Sequence, residues 1–417
     1  MPKILLLICS LSLLSVASSP VGAQSTSSTP ASVRLGVDLI SEQMPSALVG
    51  RRVALITNHT GRDRLGRSTI DVLFERDDLR LVALFAPEHG IRGELSGRID
   101  HEVDDRTGLP VHSLYGDTRK PTAEMLAEVE ALVFDIQDVG VRQYTYLSTM
   151  ALAMQAAAER EIPFVVLDRP NPIGGNIVEG NLLDPAFASF VGLYPIAPRH
   201  GMTAGELALM YNEAFGIDSD LTVVQVEGWS RDLWFDGTDL PWRGPSPNLP
   251  ELLPTIHYPG TVFYEGTTLS EGRATDRPFE QTGAPWLKAR ELADSMNAMN
   301  LPGVGFEAVE FSVEPGRRKF AGQAIPGLRY ILIDREIYRP VSATLLVIDM
   351  IRRLHPDQFR WASSQAADGT PSHYMDLLTG TDRVRSAIDS GTLQELLEEW
   401  DRDAERFREL RKQYLLY

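Results

Sequence analysis

Residues 53–57 read Val-Ala-Leu-Ile-Thr, a short and almost continuously apolar segment, and segments of this kind return four more times along the chain. The later ones occupy residues 81–85, 131–135, 164–167 and 221–226. Stretches with helical spacing or a helix-favouring composition lie between them, at residues 69–76, 124–129, 146–159 and 203–214. The last stretch opens with Thr203-Ala204-Gly205-Glu206, which fits a capping box. Short buried strands that alternate with helices are typical of βαβ units, so the pattern predicts a Rossmann-like, mostly parallel sheet with helices on both faces.

A Pro- and Gly-rich stretch at residues 237–260 predicts the crossing into a second domain, because helices and central strands tolerate that composition poorly. The patterns beyond it predict strands at residues 309–313 and 330–333, and helices at residues 287–297, 342–353 and 393–413. The predicted fold class is therefore α/β, with a sheet domain at residues 34–250 and a smaller α+β domain at residues 251–417.

The first 23 residues are typical of a signal peptide, with Lys3, an apolar run from residue 4 to 14, and Val21-Gly22-Ala23 before Gln24. The run is shorter than the roughly 20 residues that span a bilayer, so we expect cleavage, no retained membrane anchor, and a periplasmic or secreted protein. Residues 24–33 are expected to form a flexible tether. The only cysteine, Cys9, lies inside the leader, so cysteine nucleophiles and thiolate metal sites are not expected.

The composition is that of an ordinary globular protein, with 417 residues, 43% hydrophobic and 23% charged. Lys and Arg total 40 against 57 Asp and Glu, which gives a formal net charge of −17. That balance argues against nucleic acid as a partner, because phosphate contacts need a cationic surface. It leaves room for a small anionic ligand held by a few arginines.

Several catalytic and cofactor motifs do not occur in the sequence. No G-x-G-x-x-G follows the first strand, where the text is Thr57-Asn58-His59-Thr60-Gly61, and there is no Walker A loop, so a nucleotide cofactor is not expected. The sequence also lacks H-E-x-x-H and G-x-S-x-G, and its eight histidines have no regular metal spacing. We therefore expect neither cofactor nor metal, although His59 and His89 could meet in space.

Polar residues with useful chemistry cluster at the ends of four predicted strands. They are Asn58 and His59, then Glu88 and His89, then Asp135, Gln137, Asp138 and Arg142, and finally Arg169 and Asn171. Ligands of open parallel sheets bind beyond the carboxyl ends of the strands, so these side chains are expected along one rim. Further candidates outside those ends are Arg92, Tyr144, Tyr146, Arg199, His200, Glu265, Glu271 and Arg273.

Several candidates also have a structural interpretation. Asp135 could be a buried acid paired with Arg142 or Arg169, since buried ion pairs are common away from active sites. Arg199 could pair with Glu206. Asn171, between two prolines, is more often a turn residue than a ligand, and of Tyr144 and Tyr146 we expect one in the core and one facing the cleft.

Five longer motifs resemble the NamZ-type exo-β-N-acetylmuramidases. They are Leu-Ile-Thr-Asn-His-Thr-Gly at residues 55–61, Phe-Ala-Pro-Glu-His-Gly-Ile-Arg-Gly at 85–93, Phe-Asp-Ile-Gln-Asp-Val-Gly-Val-Arg at 134–142, Asp-Arg-Pro-Asn-Pro-Ile-Gly-Gly at 168–175, and Glu-Gly-Thr through Ser-Glu-Gly-Arg at 265–273. They occur in the family's order, and the similarity runs from about Arg34 to the C-terminus.

The resemblance implies a bacterial exoglycosidase without a cofactor, which removes N-acetylmuramic acid from the non-reducing end of peptidoglycan fragments. It implies that muropeptides or disaccharides containing N-acetylmuramic acid are the substrates, and that the active site lies in a cleft between a Rossmann-like domain and a smaller domain. Two other functions stay open: a non-catalytic binder of cell-wall sugars, and a metal-dependent hydrolase of another bond.

Glycoside cleavage normally needs two carboxyl groups, one of which protonates the leaving oxygen. By matching position, Glu88 is the first choice for the acid, and His89 could orient it. The second group could be Asp135, Asp138, Glu265, Glu271 or the substrate's own acetamido oxygen. Arg142, Arg169 and Arg273 are candidates to clamp the lactyl carboxylate of the sugar.

Overall fold

The computed structural model describes residues 30–88, 91, 102–316, 318–365 and 371–417. The leader predicted at residues 1–23 lies outside these residues.

A seven-stranded sheet forms the centre of the first part of the chain. Its strands are β1 (Arg52–Thr57), β2 (Arg80–Ala86), β3 (Glu102–Val103), β4 (Pro110–Ser113), β5 (Ala131–Asp135), β6 (Phe164–Leu167) and β7 (Leu221–Val224). The order is β3-β4-β2-β1-β5-β6-β7, and every neighbouring pair is parallel except β3 with β4. This confirms the predicted α/β class with a mostly parallel sheet.

Both faces of the sheet are covered because its central strands are apolar on both sides. In β5, Leu132 and Phe134 belong to one hydrophobic core, whereas Ala131 and Val133 belong to the core on the opposite face. Alternate residues of a strand point to opposite faces, so an uninterrupted apolar run is what a doubly covered strand requires. The helices of this part are α1 (Gly36–Leu39), α2 (Thr69–Phe74), α3 (Thr145–Glu159) and α4 (Ala204–Ala214).

The second part is smaller and of α+β type, as predicted. Its strands are β8 (Gln281–Gly283), β9 (Val304–Ser312), β10 (Ala324–Leu332), β11 (Ser363–Gln365) and β12 (Pro371–His373), and its helices are α5 (Leu252–Thr261), α6 (Ala289–Ala298), α7 (Pro340–Leu354), α8 (Tyr374–Thr379), α9 (Arg383–Ser390) and α10 (Leu393–Arg411). An antiparallel sheet has the order β8-β10-β9, and β11 pairs with β12. Short 3-10 helices occur at Pro185–Phe187, Phe235–Gly237, Val262–Gly266 and Lys412–Tyr414.

Two local predictions were wrong. Residues 124–129 form turns rather than a helix, because so short a segment gains too few hydrogen bonds to offset the cost of nucleation. The end of the Pro-rich stretch is the helix α5, although it contains Pro254 and Pro259. Pro254 lies in the first turn of that helix, where no intrahelical N–H donor is needed. Over the part of the chain that the structure describes, no helix combines the length and apolar character needed to cross a membrane.

Candidate active site

A cavity of about 370 Å³ lies between the two parts of the chain. The first part contributes Glu88, Tyr115, Gln143, Tyr144 and Thr145 to its wall, and the second contributes Tyr258, Glu265, Arg273, Phe279, Arg318 and Tyr374. Its volume falls in the range of roughly 300–1,000 Å³ that is usual for small-molecule sites. Of the residues predicted from sequence, the cavity brings together Glu88, Tyr144, Glu265 and Arg273.

Glu88 follows β2 at the carboxyl edge of the sheet and is half-buried. The hydroxyl of Thr145, the first residue of α3, donates to the Glu88 Oε2 atom at 2.8 Å. Tyr115 lies just beyond β4, and burial together with the nearby Glu88 carboxyl raises the pKa of Tyr115 to about 12. Among the described residues, the polar neighbours of Glu88 include the hydroxyl groups of Thr145 and Tyr115.

Glu265 enters the same cavity from the 3-10 helix Val262–Gly266. Its Oε1 atom is 2.6 Å from the Arg273 Nη1 atom, and both side chains are largely buried. Burial raises the pKa of Glu265, Arg273 opposes that rise, and the nearby Glu271 carboxylate adds to it. Glu265 is therefore a buried carboxyl group held beside a cation.

Glu271 and Lys319 complete the surroundings of Arg273. The Lys319 Nζ atom donates to the Glu271 carboxylate at 3.1 Å and to the carbonyl oxygens of Tyr264 and Leu269. Burial opposes the ionisation of Glu271, but Lys319 and Arg273 together hold its pKa below the usual value. Glu271 itself supports Arg273 and is not among the residues of the cavity wall.

Three tyrosines lie near both carboxyl groups of the cavity. Burial is the main cause of a raised pKa at Tyr115, Tyr258 and Tyr374, and each of the three is raised further by both Glu88 and Glu265. All three tyrosines line the same cavity as the two carboxyl groups. The rings of Tyr144 and Tyr258 meet edge to face with centroids 5.8 Å apart, which extends the aromatic wall.

Tyr144 and Tyr146 divide their roles as expected from sequence. Tyr144 lines the cavity, whereas Tyr146 is buried in the core and donates its hydroxyl to the Pro245 carbonyl oxygen at 2.8 Å. The polar neighbour Gln143 also lines the cavity, and its amide donates to the Leu378 carbonyl oxygen.

Asp135 does not lie in this cavity. The structure shows it as a buried acid paired with Arg169, which was the structural interpretation of this residue. Its carboxylate is fully buried and accepts bonds from the Arg169 Nε and Nη2 atoms at 2.5 and 2.9 Å, and from the Thr69 hydroxyl. The bidentate pair occupies both oxygens, so we do not carry Asp135 into the catalytic proposal. Arg169 is likewise not a wall residue of this cavity.

Arg142 and Arg199 are buried cations that bind backbone oxygens rather than lining the cavity. Arg142 donates to the Ile196 carbonyl at 2.7 Å and to the Thr379 carbonyl at 2.8 Å, and burial lowers its pKa to about 9. Arg199 donates to the Ile173 carbonyl at 2.8 Å. The pairing of Arg199 with Glu206 is wrong, because Glu206 pairs with Arg231.

The remaining candidates of the sheet edge are engaged in local structure. His200 is buried, accepts the Met202 N–H at its Nδ1 atom, and has a pKa that burial lowers to about 3. Asn171 accepts the Ile173 N–H and donates to the Met202 carbonyl, as a turn residue does. Gln137 donates to the carbonyls of Asp138 and Pro170.

Asn58, His59 and Asp138 also stabilise loops. Asn58 accepts the N–H and hydroxyl of Thr60, and the His59 Nε2 atom is 2.8 Å from the Gly244 carbonyl oxygen. Asp138 accepts the Gly140 N–H at 2.6 Å, and burial raises its pKa to about 7. His89 and Arg92 lie outside the described residues, so their assigned roles stay predictions.

Sequence reasoning missed most of the wall, including the polar and aromatic residues Tyr115, Thr145, Tyr258, Phe279, Arg318 and Tyr374. None belongs to a strand end of the predicted sheet or to a dense polar motif, so position alone gave no signal. Within the described residues, no group of three His, Cys, Asp or Glu side chains is arranged to hold a metal ion.

Comparison with known proteins identifies the same family over both parts of the chain. The family described as exo-beta-N-acetylmuramidase NamZ matches with its N-terminal domain over residues 53–253 and its C-terminal domain over residues 256–417. A protein of Bacillus subtilis (strain 168) named peptidoglycan beta-N-acetylmuramidase NamZ is 44% identical over 402 residues, covering 96% of this chain and 94% of the relative.

Two crystal structures of DUF1343 family proteins from Bacteroides fragilis NCTC 9343 have the same fold. One is 37% identical with a TM-score of 0.83, and the other is 32% identical with a TM-score of 0.72. Each match covers 92% of this chain and 99% of the solved chain. On these matches, the protein belongs to the NamZ family of exo-β-N-acetylmuramidases.

Proposed function

We propose that this protein hydrolyses the glycosidic bond of N-acetylmuramic acid at the non-reducing end of peptidoglycan fragments, in the cavity between its two parts. The observation that carries the proposal is that two carboxyl groups, Glu88 and Glu265, share this cavity. Glycoside hydrolysis through an oxocarbenium-like transition state normally uses such a pair. The choice of N-acetylmuramic acid as the sugar, and of cleavage from the chain end, rests on the family membership.

Glu88 is our proton donor for the leaving oxygen. A general acid must carry a proton before the reaction, and a nearby cation would work against that. Glu88 has hydroxyl partners and no ion pair among the described residues, with its Oε2 atom fixed by Thr145. The Thr145 hydroxyl orients the carboxyl group in the cavity.

Glu265 is our second carboxyl group. Its contact with Arg273 at 2.6 Å favours the carboxylate, whereas burial favours the protonated form. A carboxylate that is poorly solvated interacts strongly with positive charge that develops nearby. Glu265 is therefore placed to stabilise or attack the oxocarbenium-like centre, and Arg273 holds it in position.

Arg318 is the cation that we assign to the lactyl carboxylate of the sugar. The three arginines predicted for this role are engaged elsewhere: Arg142 with carbonyls, Arg169 with Asp135, and Arg273 with two glutamates. Arg318 is exposed on the cavity wall, and no side-chain partner for it occurs among the described residues. Its guanidinium can accept an incoming carboxylate in a bidentate manner.

The place of action follows from the substrate. Peptidoglycan fragments lie outside the cytoplasm, and residues 1–23 have the pattern of a cleaved signal peptide. The proposal therefore includes export to the periplasm or the medium, with muropeptides or small disaccharides as the substrates met there.

The direct test incubates the protein with two disaccharides in which the same two sugars are linked in opposite order. The protein should release N-acetylmuramic acid from N-acetylmuramyl-N-acetylglucosamine and leave N-acetylglucosaminyl-N-acetylmuramic acid intact, as chromatography of the products would show. Glu88→Gln should abolish release while the disaccharide still binds in calorimetry. Glu128→Gln, which alters a carboxylate with 81% side-chain exposure, is the matched control. Cleavage of both disaccharides, or full activity of Glu88→Gln, would overturn the proposal.

A further inference from the structure

A second, smaller cavity lies at the carboxyl edge of the parallel sheet, apart from the Glu88–Glu265 cavity. Thr60 and Arg62, which follow β1, and Gln137, which follows β5, contribute to its wall. The strand order reverses at this place, since β2 flanks β1 on one side and β5 flanks it on the other. Open α/β sheets bind their ligands in the crevice at such a reversal.

Four arginines line this cavity: Arg62, Arg64, Arg169 and Arg243. Two of them are neutralised by carboxylates. Arg169 pairs with Asp135, and the Arg64 Nη2 atom is 2.6 Å from an oxygen of Asp239. Arg62 donates to the carbonyl oxygens of His59 and Gly66, which are not charged.

Within the described residues, Arg243 is the unpaired member of the set. No hydrogen bond or ion pair of its side chain occurs among the described residues, although the side chain is half-buried. A Cβ atom added at Gly66 would lie 3.2 Å from the Arg243 Nη2 atom, so the guanidinium rests against the turn at residues 63–66. Burial lowers the pKa of Arg243, and the like charges of Arg62 and Arg169 lower it further.

The local charge is positive although the whole protein carries −17. The wall holds four arginines and one acid, Asp63, whose Oδ1 atom accepts the Arg67 N–H. Among the described residues, Asp239 pairs with Arg64 and Asp135 with Arg169, and neither Arg62 nor Arg243 has a carboxylate in an ion pair. A half-buried cation in this situation gains from an anion that enters the cavity.

The dimensions restrict what can enter. The cavity measures about 30 Å³, room for roughly two water molecules, and Leu35, Phe235 and Leu240 form an apolar side. Two oxygen atoms of a head group fit where two waters would. The bidentate fork of arginine matches a pair of such oxygens.

We propose that Arg62, Arg169 and Arg243 form a binding site for the oxyanion head group of a small ligand, a phosphate or a carboxylate, at the strand-order reversal of the sheet. The site is separate from the hydrolytic cavity, and the proposal does not depend on the reaction proposed for that cavity. It also gives a place to Gln137 and Arg169, which the sequence marked as binding residues and which the hydrolytic cavity does not use.

Titration of the full-length protein with inorganic phosphate and with succinate tests the site, with thermal unfolding and calorimetry as readouts. At least one of the two anions should bind with a Kd of about 1 mM or tighter and raise the Tm, and sodium chloride at equal ionic strength should not. Binding of phosphate alone assigns the site to phosphate compounds, and binding of succinate alone assigns it to carboxylates. Binding of neither anion by the wild type overturns the proposal.

Variants then locate the bound anion. Arg243→Gln should weaken binding roughly 10- to 100-fold, the loss expected for charge-assisted hydrogen bonds, and Arg243→Lys should retain most of it. Arg51→Gln removes the same charge from an exposed position and should bind like the wild type. Hydrolytic activity measured in parallel should be unchanged in Arg243→Gln, which shows that the variant is folded. Unaltered anion binding by a folded Arg243→Gln would also overturn the proposal.

Discussion

Glu88 and Glu265 have the same side chain and face the same cavity, but their neighbours differ. The first accepts a hydrogen bond from the Thr145 hydroxyl, whereas the second is 2.6 Å from a guanidinium nitrogen and largely buried. Glycosidases commonly obtain an acid and a carboxylate from two like residues through such a difference in surroundings. The chemistry that we propose therefore depends on Thr145 and Arg273 as much as on the glutamates.

Replacement of Arg318 tests how the sugar's carboxylate is recognised. Arg318→Gln should raise the KM for an N-acetylmuramide roughly 10- to 100-fold with a smaller effect on kcat, because the contact is made equally in the ground and transition states. Steady-state kinetics would measure the change. Arg402→Gln, at an exposed position of α10, is the control and should leave KM unaltered. An equal KM for Arg318→Gln and the wild type would contradict the assignment.

Asp138 makes stability depend on pH. Its folded pKa of about 7 lies above the ordinary value because burial disfavours the charged form. The stabilisation from the protonated carboxyl is complete below the ordinary pKa near 4 and is lost as the pH rises through about 7. Asp138→Asn stays neutral, so it should gain up to roughly 3 kcal/mol relative to the wild type between pH 5 and pH 8. Urea unfolding at both pH values measures this gain, and parallel pH curves for the two proteins would contradict it.

The residues of the site could be predicted only in part. Glu88, Glu265 and Arg273, which lie in the family motifs, and Tyr144, at the start of a predicted helix, line the cavity as expected. Asp135 and Arg142, which a motif marked, and Arg199, which lies before the capping box, are instead buried structural groups, because a polar side chain inside the fold must also satisfy nearby backbone groups and charges. A single sequence does not separate these two uses of a polar residue.

At the scale of elements, the start of α4 shows the clearest link between a sequence pattern and a local structure. Thr203 caps this helix by accepting the Glu206 N–H, and Glu206 accepts the Thr203 N–H in return. The Thr203 hydroxyl also donates to Asp168 at 2.7 Å, so the cap ties α4 to the loop after β6. One hydroxyl thus fixes both the helix start and a buried carboxylate.

Thr203→Ala should lower the free energy of unfolding by about 2 kcal/mol, because it removes the cap and leaves Asp168 one donor short. Thr203→Ser keeps the hydroxyl and should recover most of the loss. Ser68→Ala at the start of α2 removes a cap at a half-buried position and should cost less than Thr203→Ala. Urea denaturation would rank the three variants, and an equal cost for the two alanine variants would contradict the dual role of Thr203.

The central strands were predictable from sequence because a doubly covered strand must be apolar without interruption. β1, β2, β5 and β6 therefore match their predicted positions within about one residue. Elements with mixed composition were not predictable: β4 has only four residues, and α5 contains two prolines. Tyr115 and Tyr258 come from these regions, which is why the aromatic wall was missed.

At the scale of the whole molecule, the cavity depends on firm contact between the two parts. A single apolar core includes residues of both, from Ala54 to Tyr414. Buried polar contacts cross the boundary as well: Glu179 accepts the Val341 and Ser342 N–H groups at the start of α7, and Arg411 donates to the His200 carbonyl. Neither part can shift without breaking buried contacts, so the two carboxyl groups are held in a defined relation.

The proposed export leads to a prediction about the mature chain. The small residues at positions 21 and 23 predict cleavage between Ala23 and Gln24. N-terminal sequencing of protein recovered from the periplasm or medium of a bacterial host should therefore begin at Gln24. Recovery of the whole chain in the cytoplasm, with Met1 retained, would contradict export.

The division of labour between Glu88 and Glu265 is tested most directly by changing the leaving group. A natural disaccharide needs a proton on its leaving oxygen, whereas a 4-nitrophenyl leaving group departs without one. The kcat/KM of Glu88→Gln should fall roughly 10²- to 10⁴-fold on the disaccharide. On 4-nitrophenyl N-acetylmuramide the factor by which kcat/KM falls should be smaller, by at least about tenfold. Glu265→Gln should lose similar factors on both. The account is contradicted if Glu88→Gln loses as much on the aryl substrate as on the disaccharide, or if Glu265→Gln is the variant that the aryl group rescues.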